Sequence, residues 1–182
     1  MYTVDFETHR IVSGSNTAPT PVGAAVKTDD NPAHYYAWGH PTNNNCHIDE
    51  GADKLQRIWH SNELIIMHNA KFDCRVAWEH FGLRPPEPSR LNDTMIMAYL
   101  NDPRDESLKL KDLAHKYCGM TPDEQTDLKN WILKHVKEAS AKTWGEYIYR
   151  SPGDLVGRYA CADVDMTYAL YNLFKGVIYE TI

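Results

Sequence analysis

The sequence predicts an α/β fold in which helices flank one mixed β-sheet, and three observations carry that prediction. Three short β-rich segments, separated by polar turns containing Gly and Pro, lie near the start of the chain. A short, wholly apolar run, LIIM, is followed at once by helix-compatible residues. Helical patterning dominates from there onward, with no internal repeat or long linker.

Residues 2–6 read as the first strand, and residues 21–26 and 34–38 supply two more, giving an antiparallel meander. Residues 40–45 form a polar loop. Residues 49–60 suit a helix with Leu55, Ile58 and Trp59 on one side, and residues 64–67 then return to strand. A helix over residues 71–81 follows, with Phe72, Val76, Trp78 and Phe81 as its apolar set and Asp73 in its first turn. Pro85, Pro86 and Pro88 break the pattern, and Asp93 caps an apolar helix reaching Leu100. Residues 108–117 read as another helix, stopped by Gly119. The stretch 121–149, rich in Lys, Glu and Trp, is expected to be helical and mobile. Ser151 as cap, Pro152 in the first turn and Asp154 three residues after the cap open a long helix toward Leu173.

At 182 residues, 42% hydrophobic and 24% charged, the chain suits a single domain spanning residues 1–182 with a substantial core. A formal net charge of −6 argues against a broad basic face gripping duplex nucleic acid, although a protein holding a few terminal nucleotides needs few cations. Cys46, Cys74, Cys118 and Cys161 form no C-x-x-C pair and lack zinc-ligand spacing, so free thiols in a reducing compartment are expected. No segment approaches the roughly 20 apolar residues of a membrane span, and no signal peptide is seen, so a soluble cytoplasmic protein is expected.

Four acids stand out: Asp5 and Glu7 in VDFET, Asp73 in HNAKFD, and Asp163 in YACAD. Residues two apart on a strand share a face, so Asp5 and Glu7 present neighbouring carboxylates that want a cation. Alone, the pair is better explained by two solvated acids at a strand end, a pattern common by chance, but flanking Val4 and Phe6 weaken that reading. Tyr159 and Asp163 are four apart on the last helix and lie close to the stripe of Leu155, Met166 and Leu170. Asp165, roughly 200° around the helix from Asp163, must face elsewhere. HNAKFD follows the apolar strand directly, which puts Asn69 at a strand-to-helix turn and aims Asp73 at the first strand. His68 reads as a satisfied buried histidine, and Lys71 and Arg75 as a solvated face.

In composition and order, VDFET, HNAKFD and YACAD resemble the DEDD superfamily of 3′–5′ exonucleases, in the branch with tyrosine in its last motif. DTMIMAYLNDP and SLKLKDLAHKYCG resemble the proofreading exonuclease domain of family A DNA polymerases, including phage versions. The resemblance spans most of the chain and implies a ribonuclease H-like fold. It implies two ions, Mg²⁺ or Mn²⁺, with Asp5, Glu7 and Asp163 holding one and Asp5 shared with the second, which Asp73 orients through water. It places Tyr159 beside the attacking water, and Thr8 and Asn69 near the terminal nucleotide. With an unperturbed pKa of about 10, the tyrosine is a positioner of water rather than a base at neutral pH. The implied substrate is a single-stranded DNA 3′ end, and the implied partner a DNA polymerase on a separate chain. An excised polymerase domain is the other arrangement. In a virus, the location would be the host cytoplasm. An RNase D-like exoribonuclease uses the same residues, and an inert polymerase- or DNA-binding scaffold would use only the fold.

Overall fold

The computed structural model describes residues 1–179. Its sheet has five strands in the order β3-β2-β1-β4-β5: β1 (Tyr2–Thr8), β2 (Pro21–Thr28), β3 (His34–Ala37), β4 (Ile65–Met67) and β5 (Leu91–Asp93). The first three strands pair antiparallel, as the meander requires, whereas β1–β4 and β4–β5 pair in parallel. The sheet is therefore mixed, and β1 is the strand at which direction changes.

Period-two alternation decides which layer each side chain of β1 joins. Val4 and Phe6 enter a core with Ile65 and Met67 of β4, Leu55 and Ile58 of α1 (Ile48–Trp59), and Val76 of α2 (Ala70–Phe81). Asp5 and Glu7 consequently face the opposite layer. That layer is built on α6 (Gly153–Tyr179), whose Val156, Ala160 and Val164 pack with Ala25 and Tyr35 of the meander. Farther along α6, Met166, Leu170 and Phe174 pack with Ile66, Met97 of α3 (Thr94–Asn101) and Leu113 of α4 (Leu110–Cys118).

Four features depart from the sequence reading. The sequence pattern gives Asp93 a capping role and no strand, whereas Leu91–Asp93 forms β5. Its Asp93 does cap α3 by accepting from the Met95 amide, and the same carboxylate accepts from the amides of Asn69 and Ala70 at the start of α2. Residues 121–149 divide into α5 (Asp123–His135) and a 3₁₀ segment (Trp144–Arg150), and α5 is seated on α6 by fully buried Leu128 and Ile132. Trp78 is 44% exposed and lies against Arg84, because α2 turns Asp73, Val76 and Ala77 inward instead.

Ser151 does not cap α6: its hydroxyl is buried without a hydrogen-bond partner. The 40–45 loop secures that end. His40 Nδ1 meets the Ser151 carbonyl at 3.0 Å, the Gly153 amide donates to the Thr42 carbonyl at 2.9 Å, and Asn43 donates to Asp154 at 2.9 Å. A Cβ on Gly153 would stand 2.6 Å from the Asn43 carbonyl oxygen, so only glycine lets the loop approach this closely. All four cysteines are unbridged. Among the described residues, no helix is long and apolar enough to cross a membrane.

Candidate active site

Asp5 and Glu7 project from β1 toward α6, where Asp163 points back at them. One carboxylate oxygen from each of the three lies within 4.8 Å of the others. The ladder between β1 and β2 slips register between Glu7 and Thr8, a bulge that ends regular pairing beside these acids. Glu7 is 8% exposed and Asp163 7% exposed, so the charges stand largely out of water.

Asp73 arrives from the other layer. Of β1, only Tyr2 and Thr3 pair with β4, so the Phe6 amide has no strand partner on that side. Asp73, in the first turn of α2, takes that amide at 2.9 Å and is itself buried. The hydrogen bond anchors Asp73 to the residue between Asp5 and Glu7.

Burial dominates the electrostatics. It pushes Asp5 up to about 6, against the pull of Lys111, and pushes Glu7 well above the usual carboxylate range, with the Asp5 and Asp73 charges adding. Asp73 is raised for the same reasons, burial first and Asp5 next. Carboxylates crowded out of water in this way are short of neutralising charge. Hard oxygen donors from several segments suit a divalent cation such as Mg²⁺ or Mn²⁺, so the residues present fit such an ion.

Tyr159 lies one turn before Asp163 on α6, its ring edge-on to Trp144 at 6.4 Å. Burial raises its phenol well above the ordinary value, with Glu7 and Asp5 adding to the effect, so it remains a neutral hydroxyl. Thr8 lines a cavity of about 670 Å³ with Glu7, His9, Phe72 and Ile148, and its hydroxyl donates to the His9 carbonyl. Asn69 stands apart from that wall, exposed at the start of α2 in the left-handed conformation (φ 61°). The turn was expected, but its side chain makes no capping hydrogen bond.

Two secondary readings hold. His68 is satisfied by the Thr94 hydroxyl and the Leu108 carbonyl, and Asp165 faces away from the cage to pair with Lys27 at 2.9 Å. One residue escaped notice. Lys111 of α4 brings its ammonium against Asp163 Oδ1 and 4.4 Å from the centre of the Tyr159 ring. Burial lowers it to about 8, while Asp5 and Glu7 hold it up. Its spacing of three from buried Ala114 was the available signal, since that interval puts both on one helix face.

A family model described as 3′-5′ exonuclease matches residues 3–178. The chain belongs to this 3′-5′ exonuclease family. Among relatives of this exonuclease, the DNA polymerase of Escherichia phage T5 is 32% identical over 146 residues, covering 78% of this chain and 17% of the polymerase. The chain thus spans less than a fifth of that relative. Brucella melitensis NrnC shares the fold with a TM-score of 0.61 at 16% identity, over 96% of this chain and 71% of NrnC. Trypanosoma brucei RNase D does so at 0.60 and 11%, over 94% and 49%. The ribonuclease H-like mixed sheet is therefore confirmed, and with it an exonuclease domain of polymerase type.

Proposed function

We propose that the domain removes nucleotides from single-stranded DNA 3′ ends by hydrolysing the terminal phosphodiester, as a proofreader working beside a DNA polymerase. The convergence of Asp5, Glu7 and Asp163 oxygens within 4.8 Å is the observation that carries this reading. Asp5, Glu7 and Asp163 would hold one divalent ion, Mg²⁺ or Mn²⁺, with Asp73 helping to orient a second; Mg²⁺ is present in the NrnC structure. Bound ions supply charge neutralisation and Lewis acidity at phosphorus.

The protein's own groups divide the remaining work. Tyr159, held neutral, offers a hydroxyl to orient water beside the acids. Thr8 and Phe72 flank the cavity that receives the terminal nucleotide, where the aromatic ring offers a stacking surface. Asn69 contributes from the turn ahead of α2.

End-labelled DNA and RNA oligonucleotides, incubated with Mg²⁺, Mn²⁺ or chelator, test the proposal. Stepwise loss of 3′ nucleotides from DNA, abolished by chelator, is expected. The DNA assignment rests on relatives that are DNA polymerases, and a strong preference for RNA would replace it with an RNase D-like activity.

A further inference from the structure

We propose that Lys111 is a built-in counter-cation: its ammonium holds a metal ion's place in the metal-free carboxylate cage and gives that place up when an ion arrives. The inference rests on the reading that the cage takes divalent metal.

The geometry favours exchange over a fixed structural pair. The Lys111 side chain is only 16% exposed, and its ammonium meets Asp163, one of the three acids whose oxygens converge. Asp163 Oδ1 is fully buried and has no aligned hydrogen-bond donor, so the ammonium meets it chiefly as charge. Asp5 and Glu7 attract the same ammonium, which the Tyr159 ring face also holds at 4.4 Å. One positive group therefore serves three acids drawn from β1 and α6.

A dication cannot join it there without penalty. Like charges a few ångströms apart in a partly desolvated site repel strongly, and a double charge makes this worse. Lysine is suited to leaving: its ammonium is a compact point charge on a flexible stem, whereas arginine's planar fork locks onto carboxylates.

Titration of Mn²⁺ into the whole chain without nucleic acid, followed by the electron paramagnetic resonance of free Mn²⁺, tests the exchange. Lys111→Met is expected to bind Mn²⁺ at least about ten-fold more tightly, because its competitor is gone. The same variant should melt below the unmodified protein in chelator and gain more from added Mn²⁺. Lys111→Arg should shift affinity the other way, binding Mn²⁺ more weakly while keeping its melting point in chelator. This second variant retains the cation and tests the idea even if Lys111→Met folds poorly. Opposite shifts support the exchange; unchanged affinity in either variant, or weaker binding by Lys111→Met, overturns it. Nucleotide release is scored separately on the unmodified protein. Opposite shifts without release would refute the nuclease reading alone, and release without the shifts would refute the exchange alone.

Discussion

Two buried polar clusters adjoin α6, and they treat charge in opposite ways. Near its start, the Tyr35 hydroxyl meets His40 Nε2 at 2.8 Å and the Ser151 carbonyl meets His40 Nδ1, so both ring nitrogens are partnered. Burial lowers His40 to about 4, more than the Ser151 contact raises it, and the ring stays neutral. About three turns on, Asp163 meets Asp5 and Glu7 with one ammonium among them. The first cluster partners both ring nitrogens of His40 with neutral groups, whereas the second is left short of positive charge. The difference separates a device that positions α6 from one whose donors suit an outside ion.

The strongest way to break the comparison is to strip the second cluster. Asp5→Ala combined with Glu7→Ala should lower nucleotide release by roughly a thousand-fold or more while the fold survives, since carboxylates that hold a catalytic ion lie directly on the reaction path. Release assays and circular dichroism on the same preparation check both halves. Residual release at the original rate would remove the acids from catalysis.

The two clusters also answer pH with opposite signs. In the unfolded chain His40 takes a proton near 6.5, but in the folded protein only near 4, so its stabilisation is complete above 6.5 and is lost as pH falls through that window. The full effect is about 3 kcal/mol. Asp5, raised to about 6 in the metal-free protein, does the reverse: its contribution is present below its ordinary value and is lost as pH rises through about 6. Denaturant melts in chelator at pH 7 and pH 4.5 should therefore show that His40→Gln lowers stability more at the higher pH. A constant difference would exclude a neutral buried imidazole.

Smaller effects sharpen the picture. Tyr159→Phe should slow turnover by about 10- to 100-fold with Mn²⁺ affinity unchanged, because the ring remains and only the water-orienting hydroxyl is lost. Gly153→Ala should cost about 1–3 kcal/mol in thermal or denaturant melts, since its Cβ would collide with the Asn43 carbonyl.

Much of the site was legible because it obeys simple periodicities. Alternation placed Asp5 and Glu7 on one face, and helical geometry distinguished Asp163 from Asp165. Placement after an apolar strand put Asp73 in a first turn. What stayed hidden depends on partners distant in sequence. Strand β5 is three residues, two of them polar, and exists because its main chain pairs with β4. Lys111 resembles any solvated lysine until α4 is laid on α6. Ser151 reads as a helix cap, yet the anchoring falls to a loop more than a hundred residues earlier.

Asp93 joins these themes. One carboxylate receives amides from the beginnings of two helices, so the edge strand and the turn bearing Asn69 must loosen together. Slack at the rim of the sheet is thereby felt at the root of α2, a turn away from Asp73, and a three-residue edge strand helps set how firmly the corner that holds the acids is closed.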